Sequence, residues 1–512
     1  MRPLLHSRLP ALALFGLIFV AVSLASRTLL LVKAWPELHA SVADYLAIFG
    51  LGLVFDLATA VFFLLPYAIL LMGIPERWYH TRLISGLRLA LLASLIGILL
   101  FVTAAEYLFW DEFQARFNFI AVDYLIYTSE VVRNIRESYP LPTILGGIAA
   151  LTLLGSWLLR KPFLRLANLP STFRYRNLLA GALIALAVVD FQLIDSNLAN
   201  ASQNRYVNEL SGNGIYSFFA AFRKSQLDYE MFYPTEDEHQ VSATLAHLLP
   251  AAHVDHATGS IARQVQHQRE EKRYNVMLVV VESLSADFLG TFGNQQQLTP
   301  NLDSLAKHSL LFTNVQATGT RTVRGLEAIT LSVPPTPGNS IIKRQNNEHL
   351  YNIATEFQQR GYDSRYLYGG YGYFDNMNYF FANNGFEIVD RSDLADNEIH
   401  FTNAWGVADE DIFARAIKEA DKSSSRGKPF FNMIMTTSNH RPFTYPDRRI
   451  DIASHSGREG AVKYTDYAIG QLIEQARQHD WFDNTVFVIV ADHCASSAGE
   501  AALALNKYHI PM

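Results

Sequence analysis

One cysteine, Cys494, occurs in 512 residues, so no disulfide can form within the chain and the redox compartment must be read from topology. Charge is also scarce. Asp, Glu, Lys and Arg make up 18% of the residues, low for a wholly soluble protein, and the formal net charge is −6. With no basic excess there is no electrostatic footprint for a nucleic-acid partner. There is no internal repeat and no low-complexity tract, which excludes a repeat architecture.

What is abundant is apolar. Half the residues are hydrophobic, and they are unevenly spread. The N-terminal two fifths holds long runs at 10–32, 43–73, 83–105, 142–159 and 177–195, each about the length that crosses a ~30 Å hydrocarbon core as a helix. The second is overlong and is expected to tilt or to begin in the interface. It contains Asp56, which should face the bundle interior, because a carboxylate in lipid costs several kcal/mol. A cleaved signal peptide is a poor reading of the first run, which is long, lacks a small-residue cleavage site and precedes four more spans. The aromatic-rich stretch from Tyr107 to Tyr139 suits a membrane surface.

Basic residues set the orientation. Arg2 and Arg8 precede the first span, Arg77, Arg82 and Arg88 lie at the second loop, and Arg160, Lys161, Arg165, Arg174 and Arg176 at the fourth. These segments are expected on the cytoplasmic side, so everything after about residue 197 is expected outside it. Residues 1–197 then form a five-helix transmembrane domain, 198–270 an extracytoplasmic connector, and 271–512 a soluble domain.

That domain alternates. Strands are expected at 276–281, 310–318, 363–370, 429–436 and 485–491. Helices are expected at 300–308, from about 324, at 346–361 with Gly361 as C-cap, at 409–420 and at 461–479. The alternation argues for a mainly parallel sheet covered by helices on both faces, with ligands at the carboxyl ends of the strands. Three strands end in groups that bind metal: Glu282 after "VMLVVV", Asn439 and His440 after "FFNMIMTTS", and Asp492 with His493 after "VFVIVA". If these strands are parallel neighbours, the groups meet at one rim. A divalent ion there would compensate a charge at the end of a buried strand. The competing reading of Glu282 alone is a helix cap.

At this point a resemblance emerges. "NVMLVVVESLSADFLG", "TPNLDSLAKHSLLFTNVQATGTRTVRG", "TTSNHRPF" and "VIVADH", in that order, resemble the alkaline phosphatase superfamily. More closely they resemble the lipoteichoic acid synthase branch, membrane-bound phosphoglycerol and phosphoethanolamine transferases. The resemblance implies an extracytoplasmic α/β sulfatase-like domain behind five membrane helices, in the bacterial cytoplasmic membrane. It implies one divalent metal, manganese first and zinc or magnesium as alternatives, on Glu282, Thr322, Asp492 and His493. Thr322 is the implied nucleophile, preferred over Thr320 because a basic residue, Arg321, precedes it. Arg321 and Arg324 are implied phosphate contacts, with surface charge as the competing reading of Arg324. His440 and His509 are further substrate contacts. The implied reaction moves a phospho-alcohol from a phospholipid to an envelope glycan or lipid acceptor through a phosphothreonine. A phosphodiesterase or phosphatase that uses water, or a non-catalytic envelope protein, is the alternative.

Three departures stand out. No C/S-x-P-x-R motif is present, so sulfate-ester hydrolysis is not expected. Where the branch has a Trp and an Arg for glycerol phosphate, this chain has Phe374 and Asn376. Tyr371, Tyr373 and Phe374 either stack on a sugar or pack a loop. The chain ends at "HIPM", where the resemblance implies further strands, so the domain is expected to be incomplete.

Overall fold

The computed structural model describes residues 8–126, 128–169, 171–223, 235–248, 270–496 and 504–512. The chain divides into two compact units, 1–224 with 496–507 and 225–495 with 508–512.

Among the described residues, five helices of the first unit are long and apolar enough to cross a membrane. They are α1 (Leu9–Ala34), α2 (Val42–Gly73), α3 (Arg82–Phe113), α4 (Leu141–Ala167) and α5 (Phe173–Leu193), one for each expected span. The chain is a membrane protein. Helices α3 and α4 run past their expected ends. In α4 the added residues Arg160, Lys161 and Arg165 are exposed, so that helix continues as a solvated one.

Phe15, Phe19, Leu64, Leu92, Leu95 and Phe163 form the interior of the bundle, with Phe15 stacked on Phe163 at 5.1 Å. Arg8 and Arg176 both donate to the Ile74 carbonyl at 2.8 Å. The starts of α1 and α5 and the end of α2 therefore share one level. The 21 residues of α5 span about 31 Å at ~1.5 Å each, close to the hydrocarbon thickness, so Ile194 marks the opposite level. Tyr216 of a later helix donates to the Ile194 carbonyl at 2.6 Å.

Asp56 faces the interior, as expected. It is 2% exposed and accepts from Arg27 at 2.6 Å and from Asn213 at 2.8 Å. It lies about 27 Å along α2 from Ile74, at the second level rather than in mid-bilayer. Helix α2 is overlong because its first turns continue beyond that level, where α6 (Arg205–Ser211) packs on them. A second buried pair, Arg116 with Glu106 at 3.0 Å, lies at the end of α3. Ser26 also donates to Glu106, at 2.9 Å. Part of the segment read as connector thus folds into the first unit, as α6 and α7 (Gly214–Arg223). The rest is a helix at Glu238–Leu248, and 224–234 and 249–269 lie outside the described residues.

The second unit holds a parallel five-stranded sheet. Its strands are β1 (Asn275–Val281), β3 (Asp363–Tyr368), β4 (Glu387–Val389), β5 (Phe430–Met435) and β6 (Thr485–Ala491), in the order β4-β3-β5-β1-β6. Strand β1 lies between β5 and β6, with Val280 opposite Met435 on one side and Val490 on the other. Six of its seven residues are Val, Leu or Met in unbroken succession, and all of these but the half-buried Val276 are buried, as a strand covered on both faces requires.

The covering helices are α8 (Pro300–Ala306), α9 (Thr322–Leu331), α10 (Ile353–Gln359), α11 (Met377–Asn383), α12 (Asp409–Ser425) and α13 (Arg458–Ala476). Two expectations are corrected. Residues 310–318 yield only β2 (Val315–Gln316), paired antiparallel with β7 (His509–Ile510). The helix expected at 346–361 begins at Ile353. Asn352 caps it through the Ala354 amide at 2.8 Å, and the Leu350 amide is taken by Asn384 instead of a helical carbonyl. Gly361 follows in the left-handed region, at φ +82°.

Candidate metal centre and active site

The strand order brings the expected groups to one rim. Glu282 leaves β1 buried, and its amide donates to Thr436 Oγ1 beyond β5 at 2.9 Å. Asp492 and His493 leave β6, also buried. One ligand atom from each of Glu282, Asp492 and His493 lies within 4.8 Å of the others. Asn439, beyond β5, donates to the Glu282 carbonyl at 2.8 Å.

Ser283 joins the two carboxylates. Its amide donates to Asp492 Oδ1 at 2.8 Å and its hydroxyl to Glu282 Oε1 at 2.5 Å. It does so in the left-handed region, at φ 52°, a conformation that costs a non-glycine residue about 1 kcal/mol or more. Its position directly after the candidate ligand Glu282 was the only sign of this role in the sequence.

Thr322 is the first residue of α9, and its Oγ1 donates to Glu282 Oε2 at 3.0 Å. The first-turn amides of a helix have no partner four residues back, which makes that end receptive to anions. Gly325 lets α9 approach. A Cβ there would stand 2.3 Å from the Asp492 carbonyl oxygen, so no side chain fits without moving the helix.

The residues fit a divalent cation on three counts. Asp492 Oδ2 is buried and has no hydrogen-bond partner among the described residues. His493 Nδ1 lies 2.7 Å from the Cys494 carbonyl and therefore carries the ring proton there. That leaves Nε2 facing Asp492 Oδ2 at 3.4 Å and Glu282 Oε1 at 3.6 Å. A neutral ring would aim a lone pair at two carboxylates, which is repulsive, so the geometry calls for positive charge there, whether a bound cation or the ring's own. Electrostatics agree. Burial and the Glu282 charge push the Asp492 carboxyl up to about 7. Burial pushes Glu282 upward too, but His493, His440 and the hydroxyls of Ser283 and Thr322 outweigh it and hold that carboxyl below its usual range.

His440 lies close enough for its charge to act on Glu282. Its Nδ1 is 3.1 Å from the Arg441 carbonyl and its ring is 3.8 Å from Trp405. Trp405 donates to the same carbonyl at 2.5 Å, and Phe374 meets Trp405 edge-on at 5.3 Å. Sequence reasoning missed Trp405, which lies 35 residues before His440 with no strand register to connect them.

It also missed Asp409. This fully buried carboxylate accepts from the amides of Thr437 and Ser438 at 2.9 and 3.0 Å and holds the turn that carries His440. Asn376 is occupied by the Ile342 carbonyl at 2.8 Å, and Asp375 pairs with Lys343 at 3.3 Å. Tyr371 and Tyr373 stack on each other at 5.9 Å.

The remaining expected contacts have the following neighbours. Arg324 pairs with buried Glu327 at 3.0 Å and reaches the Gly338 carbonyl. His509 in β7 meets the Thr313 carbonyl at 3.0 Å and the Phe292 ring at 4.9 Å. Arg321 is the half-buried N-cap residue immediately before Thr322. Thr322, not Thr320, is the threonine bonded to Glu282.

Comparisons with known proteins bear on the fold and the family. The sulfatase family pattern matches residues 274–512. Phosphoglycerol transferase I of Xanthomonas campestris pv. campestris (strain B100) is 29% identical over 261 residues, 47% of this chain and 37% of its own length. The chain thus spans little more than a third of the curated relatives it first matches. The lipooligosaccharide phosphoethanolamine transferase A of Neisseria meningitidis, an integral membrane protein, shares the fold over 98% of this chain and 87% of its own, with a TM-score of 0.55 at 15% identity. A crystal structure from Vibrio parahaemolyticus, of a protein in the alkaline phosphatase superfamily, is 34% identical, with a TM-score of 0.52, over 56% of this chain and 70% of that one. The chain belongs to the alkaline phosphatase superfamily, with a sulfatase-like domain following five membrane helices.

Proposed function

We propose that this chain is a metal-dependent transferase of the bacterial envelope. It moves a phospho-alcohol, phosphoglycerol or phosphoethanolamine, from a membrane phospholipid to a glycan or lipid acceptor through a phosphodiester on Thr322. The observation that carries the reading is the Thr322 hydroxyl on Glu282, at the start of a helix pressed against Asp492. Residues 271–512 form the catalytic domain. The basic loops support placing it outside the cytoplasm.

Glu282, Thr322, Asp492 and His493 would hold the ion, and an oxygen-rich set with one imidazole suits manganese. Bound there, it would supply Lewis-acid charge that eases loss of the Thr322 proton and neutralises phosphate charge. The protein's own groups do the rest. Glu282 Oε2 takes the proton from Thr322 Oγ1, and the amides opening α9 receive the phosphate oxygens. The Oγ1–P bond forms as the bond from phosphorus to the diglyceride oxygen breaks. A protonated His440 would give that oxygen its proton. In the second half an acceptor hydroxyl loses its proton to His440 and attacks phosphorus. Oγ1 then leaves and regains its proton from Glu282.

Mass spectrometry of the full chain after incubation with manganese and phospholipid vesicles tests the reading. A mass on the Thr322 peptide equal to the headgroup phosphate is expected. Headgroup release with Thr322 never modified would refute the covalent route.

A further inference from the structure

We infer that the first unit contains a seat for a glycerophospholipid, with an acyl chain in a groove beneath α7 and the phosphate on Arg223. This rests on the proposed use of phospholipid as donor and supplies the donor's position.

A cavity of about 700 Å³ runs between α2, α3 and α7, within the usual size of small-molecule sites. Its wall is hydrocarbon: Phe63, Pro66 and Leu70 of α2, Leu91 of α3 and Phe219 of α7. Thr59, Tyr67 and Ser94 also line it, but their hydroxyls offer little to a polar ligand, Tyr67 meeting Ser94 at 3.3 Å. Thr59 donates to the Phe55 carbonyl at 2.6 Å and Ser94 to the Leu91 carbonyl at 2.9 Å. From Thr59 to Leu70 the groove follows α2 for about 17 Å, a little over half of a ~30 Å hydrocarbon core. That is the depth of one leaflet's acyl chain.

The mouth differs. Phe191, Tyr216 and Arg223 lie there, at the level of the Ile194 carbonyl that Tyr216 engages. Arg223 is exposed, with its guanidinium 4.5 Å from the Phe191 ring centre. Tyr216 senses it together with the carboxylates of Asp190 and Asp195. A cation at headgroup level above a hydrocarbon groove is complementary to a phosphate that carries an acyl chain. A peptide segment would leave its backbone groups without partners in such a groove.

The test uses the full chain in nanodiscs with a glycerophospholipid bearing a diazirine at the acyl terminus. Parallel arms carry a phosphoglycerol headgroup, a phosphoethanolamine headgroup or no phosphate. Adducts are expected on α2 and α3 between Phe63 and Leu91 in both phosphate arms, and the stronger arm names the preferred headgroup. Arg223→Gln should reduce them about tenfold, the loss of one charge-assisted contact. Arg223→Lys should retain most labelling, and the diglyceride arm should be weak and indifferent to both changes. Ala220→Trp, which fills the groove, should abolish the adducts while the protein keeps its size-exclusion profile. Adducts spread evenly over all five spans, regardless of phosphate and of Arg223, would mean annular lipid only and overturn the seat. Thr322→Ala should label like the parent, so a failure of the transfer chemistry leaves this result intact and separately readable.

Discussion

Gly325 of α9 faces the backbone of Asp492 so closely that a Cβ would lie 2.3 Å from the Asp492 carbonyl oxygen and 2.7 Å from its Cα. The helix of the proposed nucleophile and the segment of the proposed metal ligand are thus in direct backbone contact. Gly→Ala inside a helix ordinarily stabilises by about 1 kcal/mol. Here the sign should reverse, because the obstacle is backbone and cannot rotate away. Gly325→Ala should displace Thr322 and lower kcat for headgroup release by about a hundredfold. KM should change little. Parent-like kcat would show that the helix has room to shift without consequence.

Thr322→Ala deletes the hydroxyl proposed to attack and should reduce turnover by orders of magnitude. Thr322→Ser keeps the oxygen and should retain measurable release. Thr320→Ala should be mild, since Thr322 is the one bonded to Glu282. Loss of activity in the Thr320 variant alone would move the nucleophile two residues upstream.

The carboxyl of Asp492 holds its proton up to about pH 7 through burial and the Glu282 charge. A metal ion must displace that proton. Manganese affinity, read by calorimetry, should therefore rise with pH up to about 7 and level off above it, with proton release below that point. The metal-free domain binds this proton when folded but not when unfolded, between about pH 4 and 7. Its stability should fall as pH rises through that window, and saturating metal should flatten the fall. Glu282, held below its usual range, contributes the opposite slope, in the acid range below its unfolded value. Affinity independent of pH would place the metal elsewhere.

Asp409 has two amides of the His440 turn on one oxygen and Thr465 on the other, at 2.7 Å. Asp409→Ala leaves two buried N–H groups unsatisfied and should cost about 2–4 kcal/mol in denaturant unfolding. It should also slow headgroup release, because the turn loosens. Asp409→Asn keeps the oxygen and should recover most of both. Full recovery of stability without recovery of rate would assign Asp409 a role beyond holding the turn.

Arg27 and Asp56 form a buried pair, with Arg27 also donating to the Gly212 carbonyl at 2.7 Å. Asp56→Leu alone should destabilise by about 3–5 kcal/mol, since it leaves a buried guanidinium without its counter-charge. Adding Arg27→Met should restore part of that loss in detergent-solubilised protein. A double variant as unstable as the sum of its singles would show that the pair is not coupled.

What the sequence determined by itself was local. The five spans were legible because each is a continuous apolar run, and β1 and β6 because a strand buried on both faces must be apolar throughout. Glu282, Asp492 and His493 stood out as charge at the ends of such strands. The tertiary structure decided which elements became neighbours. Trp405 stacks on His440, Asp409 holds the turn before it, and Arg27 neutralises Asp56, all through contacts between separate elements with no shared period. Arg324 illustrates the converse. The resemblance implied a phosphate contact, with surface charge as the competing reading, and in the structure Glu327 lies one helical turn away, buried, and pairs with the guanidinium. The helix expected from residue 346 was shortened for the same reason, because Asn384 supplies the Leu350 amide with a partner from another part of the chain. Periodicity records what a segment buries. It does not record which distant polar group competes for a given donor, and in this protein those competitions set the details of the site.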